Sequence, residues 1–87
     1  MPAPTIEMYT TSWCGYCERA RQLLGRKGAV YTEISVEGDP ARRAEMIERS
    51  GRRTVPQIFI GPRHIGGADE LAELEQRGEL DALLAGG

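Results

Sequence analysis

The only two cysteines of this 87-residue chain stand two residues apart, in Trp13-Cys14-Gly15-Tyr16-Cys17, where the hydrophobic period changes from two to about 3.6. Before the motif, Thr5-Ile6-Glu7-Met8-Tyr9 alternates like a strand and runs into the polar cluster Thr10-Thr11-Ser12. After it, Cys17, Ala20 and Leu24 share one helical face with Leu23 beside them, and Gly25 to Gly28 read as the stop. A cysteine pair at a strand-to-helix junction reads as a redox dithiol. A sulfur at a helix N-terminus meets unpaired backbone N–H groups and the positive end of the helix dipole, which favours the thiolate. Cys14 is therefore the candidate nucleophile.

Two plainer explanations of the pair fare worse. With His64 the only histidine, one chain cannot complete a tetrahedral zinc site, which leaves only a metal shared between two chains. A permanent disulfide over so short a loop would restrain little unfolded-chain entropy.

The length leaves room for one small domain, residues 1–87. Thirteen acidic residues against eleven basic ones give a net charge of -2 with the signs interspersed. That balance gives no general attraction to nucleic acid or to an anionic membrane. No apolar run approaches the roughly 18 residues of a membrane span. Met1-Pro2-Ala3-Pro4 lacks the charged and apolar regions of an export signal. A cytosolic location is expected, where reductants cycle a free dithiol.

Residues 30–36 are rich in β-branched side chains and read as a second strand, parallel to the first across a helical crossover. Asp39-Pro40 places an N-cap before a proline at the first helical position, with Ala44 and Ile47 on one face and Ser50-Gly51 at the end. Residues 57–60 and 63–65 read as an antiparallel hairpin punctuated by Gly61-Pro62. Beyond Gly66-Gly67, Leu71 and Leu74 mark an amphipathic helix stopped by Gly78; Leu80, Leu83 and Leu84 mark a short last one, and Gly86-Gly87 reads as a frayed tail. The order β-α-β-α-β-β-α predicts an α/β fold, a four-stranded mixed sheet with helices on both faces. The dithiol then lies at the carboxyl end of the first strand, where ligands bind in such folds.

Three segments in order, Trp13-Cys14-Gly15-Tyr16-Cys17, Thr54-Val55-Pro56 and Gly66-Gly67-Ala68-Asp69, give the chain its resemblance to the glutaredoxins over nearly its full length. The resemblance implies a thioredoxin-like fold and a glutathione-dependent oxidoreductase. In that chemistry Cys14 attacks a glutathionylated or disulfide-bonded protein, and glutathione removes the adduct, itself regenerated by glutathione reductase. Cys17 would resolve protein disulfides by closing onto Cys14. The resemblance also implies a cis Pro56, with the Val55 backbone, beside Thr54, pairing with the cysteinyl part of glutathione. Gly67, Ala68 and Asp69 would hold the γ-glutamyl end, the N–H groups of Ala68 and Asp69 facing its carboxylate and the Asp69 side chain its ammonium. Asp69 as a simple helix cap is the plainer alternative.

Arg52, Arg53 and Gln57 all stand as candidates for the glycyl carboxylate. Tyr16 is placed to stack on glutathione or to control access to Cys14, Trp13 is expected to pack beneath the loop, and His64 to be structural. Glu18, Arg19 and Arg21 read as the wet face of the first helix. Two departures from the family pattern stand out: Gly15 replaces the commonest proline, and Thr11 a frequent lysine. Glutaredoxins with glycine or serine at that place include members that assemble a [2Fe-2S] cluster between two protomers, through the first cysteine and bound glutathione. The resemblance therefore implies a monomer with glutathione as co-substrate, the alternative being a cluster-bridged dimer in which Cys14 is the metal ligand and the protein a carrier or redox sensor.

Overall fold

Alternation along the first strand assigns the two faces of the sheet. Ile6 and Met8 of β1 (Ile6–Thr10) turn to one side, where they cluster with Ala20, Leu23 and Leu24 of α1 (Gly15–Arg26), while Tyr9 turns to the other and meets Val36, Met46 and Phe59. The computed structural model describes residues 4–86, so Met1 to Ala3 of the segment read for a leader, and Gly87 of the tail, lie outside the described residues. Beyond α1 follow β2 (Thr32–Ser35), α2 (Pro40–Ser50), β3 (Gln57–Ile60), β4 (Arg63–Gly66), α3 (Ala68–Gln76) and α4 (Leu80–Leu84). The sheet order is β2-β1-β3-β4, with β1 parallel to β2, antiparallel to β3, and β3 antiparallel to β4. The mixed sheet and the expected element order are both present, with α1 and α3 on one face and α2 on the other. Among the described residues no helix is long and apolar enough to cross a membrane.

Two details differ from expectation, the start of the second strand and the buried residue of α2. The second strand begins at Thr32 instead of residue 30, because the register Glu7 to Thr32 would set Val30 opposite Thr5, before β1 begins. Val30 is left exposed. The first helix ends at Arg26, within the expected Gly25 to Gly28 stretch. The chain turns at Gly28, with φ +67, where the Gly28 and Ala29 N–H groups bond the Gly25 and Leu24 carbonyls at 3.0 Å each, capping the helix through a left-handed glycine. In α2 the Asp39 carboxylate accepts the Arg42 N–H at 3.0 Å and Pro40 opens the helix as expected, but Ala44 is exposed and Met46 is the buried residue.

Met46 does not hold α2 alone. Arg49 donates to the Tyr9 hydroxyl at 2.9 Å and to Glu7 at 3.1 Å, and its guanidinium lies 4.1 Å from the Phe59 ring centroid. The Tyr9 hydroxyl in turn donates to Glu45. These polar contacts border water, so the apolar anchor dominates the docking energy. Truncating Met46→Ala should cost about 2–5 kcal/mol in urea unfolding, the range for a buried large-to-small change; a loss under about 1 kcal/mol would mean that the polar contacts suffice.

Candidate active site

At the carboxyl end of β1 the chain passes through Thr11-Ser12-Trp13 and enters α1 with Cys14 as its N-cap. Extended backbone at Cys14, φ -145 and ψ 107, turns its side chain back over the first turn, and Sγ accepts the Cys17 N–H at 3.1 Å. A cysteine here replaces the usual Ser, Thr or Asp cap, so one of the orphan N–H groups of the helix bonds the sulfur. Across the site the Val55 carbonyl lies 3.8 Å from Cys14 Sγ. The Val55-Pro56 peptide is cis, as the resemblance implies.

The two thiols differ in environment although only two residues separate them. Cys14 is half-exposed and Cys17 is fully buried, and both are free. Burial, followed by the hydrogen bond to Cys14, pushes the Cys17 thiol up to about 12. The outer sulfur is accessible, and the inner one is held as a neutral thiol.

Beside Cys14 lies a pocket of about 310 Å³, lined by Tyr16, Arg52, Thr54, Val55, Pro56, Gln57, Gly67, Ala68, Asp69 and Glu70. Its size falls at the small end for pockets that take whole small molecules. The expected Tyr16, the Thr54-Val55-Pro56 loop and Gly67-Ala68-Asp69 are thus brought together from three distant stretches of chain. Arg53 is not among the lining residues, and its carbonyl accepts a bond from Arg43 at 3.1 Å. Gln57 lines the pocket but is already engaged: Nε2 donates to the Thr54 carbonyl at 2.9 Å and Oε1 pairs with His64 Nε2 at 2.7 Å. His64, its ring tilted against that of Phe59 at 4.9 Å, does not line the pocket.

Trp13 does not pack beneath the loop. It is 95% exposed, because the turn into α1 points it away from both apolar clusters. Arg21 does not belong to a simple wet face either, since Glu33 and the Thr11 carbonyl hold it.

Sequence reasoning missed Glu70. Its carboxylate accepts the Gly67 N–H at 2.7 Å and the Arg52 guanidinium at 2.8 Å, closing the N-terminus of α3 from the third helical position. The cap is therefore Glu70, and Asp69 stands exposed at the second position, so the reading of Asp69 as a helix cap falls. The spacing of an acid three residues after the N-cap was the available signal. Gly66 makes room for this clasp: at φ +115, a Cβ there would sit 2.5 Å from the Glu70 carboxylate.

Comparison with known proteins bears on the fold and the family. A family model described as Glutaredoxin matches residues 6–65. A glutaredoxin of Pseudomonas aeruginosa is 54% identical over 82 residues, 94% of this chain and 98% of its own. The solution structure of glutaredoxin from Brucella melitensis superimposes with a TM-score of 0.85 at 53% identity, covering 95% of this chain and 90% of that one. A buckwheat glutaredoxin-glutathione complex also gives 0.85, at 34% identity over 93% of this chain and 76% of its own.

Two measurements check the site. Iodoacetamide at neutral pH should alkylate Cys14 and leave Cys17 protected, read by peptide mass; equal labelling would contradict the burial of the inner thiol. The second concerns Glu70, whose carboxyl the Gly67 N–H and then Arg52 hold below its ordinary value. A lowered folded value means its stabilisation is full above about pH 4.3, the unfolded value, and fades as pH falls through the folded one. With the side chain partly in water the effect is modest. Glu70→Gln should therefore flatten part of the acid limb of stability against pH, and an unchanged limb would contradict the clasp.

Proposed function

The chain belongs to the glutaredoxin family, and from that premise we propose that it is a glutathione-dependent dithiol oxidoreductase, acting as one domain in a reducing compartment. Its substrates are glutathionylated proteins and protein disulfides. The observation that carries this reading is the position of Cys14 Sγ, capped by the Cys17 N–H at 3.1 Å and set 3.8 Å from the Val55 carbonyl at the pocket.

The Cys14 thiolate attacks the glutathione sulfur of a mixed disulfide, and the substrate thiolate leaves and takes a proton from water. A second glutathione then releases the glutathione held on Cys14. For a protein disulfide, Cys14 forms a mixed disulfide with the substrate and Cys17 displaces it by closing onto Cys14.

The pocket matches the charges of glutathione end to end. The γ-glutamyl carboxylate takes the Ala68 and Asp69 N–H groups at the N-terminus of α3, and the Asp69 carboxylate takes the ammonium. The Val55 backbone lies beside the cysteinyl part, like an added strand, between Thr54 and Pro56. Arg52 holds the glycyl carboxylate, since it lines the pocket and its bond to Glu70 uses only Nη1, whereas both ends of the Gln57 amide are engaged. Tyr16 closes the side nearest Cys14. The glutathione bound by the buckwheat relative supports this choice of ligand.

A second reading is a cluster-bridged dimer. Apart from its chain neighbours and its own helix, nothing among the described residues lies within 4 Å of where a Gly15 Cβ would stand, so the start of α1 is open on that side. Among the described residues no three His, Cys, Asp or Glu gather as metal ligands. A [2Fe-2S] cluster would therefore need Cys14 from two copies together with glutathione sulfur, and when bound it would supply one-electron chemistry.

Glutathione-dependent turnover of a mixed disulfide, coupled to glutathione reductase, tests the reading on anaerobically purified protein. Cys14→Ser should abolish turnover, whereas Cys17→Ser should retain deglutathionylation and lose protein-disulfide reduction. Asp69→Ala should raise KM for glutathione about tenfold, the scale of one charge-assisted hydrogen bond. Retained turnover in Cys14→Ser would sink the enzyme reading, and a brown dimer with little turnover would replace it with the cluster.

A further inference from the structure

One polar assembly lies outside the pocket and yet touches the residues that lead into the dithiol. Arg21 stands one turn after Cys17 on α1, so the two side chains are neighbours on one helical stripe. Its Nε lies 3.1 Å from both Glu33 oxygens, Nη2 donates to Glu33 Oε2 at 2.7 Å and to the Thr11 carbonyl at 3.3 Å, and Nη1 reaches Glu18 at 3.2 Å. Glu33 Oε2 also accepts the Thr10 hydroxyl at 2.8 Å. One guanidinium therefore ties α1, the edge strand β2 and the end of β1 at a single point.

An isolated surface ion pair would contribute little. This one is a forked, branched contact, with the Arg21 side chain only 22% exposed, and one of its arms ends on backbone. That backbone matters, because Thr11 leads through Ser12 and Trp13 into Cys14, and the Arg21 charge one turn from Cys17 favours its thiolate against the larger effect of burial.

We propose that Arg21, anchored by Glu33, is a positioning residue for Cys17: by holding the Thr10-Thr11 segment against α1 it keeps the buried sulfur aligned with Cys14 and sets the rate of the intramolecular step. This rests on the dithiol reading above. In that step Cys17 loses its proton to water and its thiolate attacks Cys14 Sγ. The Cys14-Cys17 bond forms, the bond from Cys14 to the substrate sulfur breaks, and the substrate leaves as a thiolate that is then protonated. The exchange has no net oxidation, because one disulfide replaces another. Cys14-only turnover does not use Cys17, so the brace acts selectively on the dithiol branch.

The experiment is a single turnover of the reduced full chain with a glutathionylated peptide and with a disulfide-bonded peptide. Acid quenching and mass measurement separate the Cys14 adduct from the closed Cys14-Cys17 form. Wild type, Arg21→Gln, Arg21→Lys and Glu33→Gln are compared, with Cys14-only turnover of each measured in a Cys17→Ser background. Both Arg21→Gln and Glu33→Gln should slow closure about threefold to tenfold relative to that Cys14-only turnover, the scale of one positioning hydrogen bond. Arg21→Lys keeps the charge but cannot bridge Glu33 and Thr11 as a fork, and should also close slowly. Closure at the wild-type rate in Glu33→Gln, recovery in Arg21→Lys, or an equal loss in both branches would overturn the proposal. Wild-type protein that never closes would instead remove the dithiol reading itself, and the inference with it.

Discussion

The hydrogen bond from the Cys17 N–H to Cys14 Sγ makes the outer sulfur the cap of α1, and the rest of the site is arranged around that bond. A helix N-terminus has orphan donors that some acceptor must meet. Here the acceptor is the Cys14 sulfur, so the residue that caps the helix is also the one the proposed chemistry uses. The sheet supplies the other side of the site. β1 delivers the chain to Cys14, and its antiparallel neighbour β3 follows directly on Pro56, so the Val55 carbonyl meets the sulfur at 3.8 Å.

Asymmetry between two chemically equal thiols follows from the same helix. Cys17 lies one step inward on the face that packs against the sheet, and burial makes its ionisation costly. A buried neutral thiol is a poor attacker until a disulfide forms beside it, which suits a resolving role. At the far end of the pocket Glu70 occupies the Gly67 N–H, so the next donors along α3, on Ala68 and Asp69, border the pocket. Gly66 is required there because its missing side chain leaves the volume that the carboxylate fills.

Much of the fold was legible because the periodicities are local: Ile6 and Met8 alternate with Tyr9, and Asp39-Pro40 and Gly51 mark both ends of α2. What the sequence could not convey is set by partners distant along the chain. Val30 has the composition of a strand residue but no strand residue opposite it, and Met46 in place of Ala44 faces inward because of how α2 lies on the sheet. Within the site, the cysteines and the Thr54-Val55-Pro56 and Gly67-Ala68-Asp69 segments were found through motif and resemblance, and the fold brings the two segments to one pocket beside Cys14. Arg21 read as part of a wet face and Glu33 and Glu70 drew no reading as site residues, since only the tertiary structure shows that each meets backbone or a second charge across a gap of many residues.

The central claim is that Cys14 and the pocket beside it form one glutathione site. The most direct measurement is a crystal structure of the Cys17→Ser protein carrying glutathione on Cys14 as a mixed disulfide. The account predicts the tripeptide paired with the Val55 backbone, its γ-glutamyl carboxylate on the Ala68 and Asp69 N–H groups and its glycyl carboxylate toward Arg52. A tripeptide directed over Trp13 and away from Val55, with the pocket left to water, would contradict it.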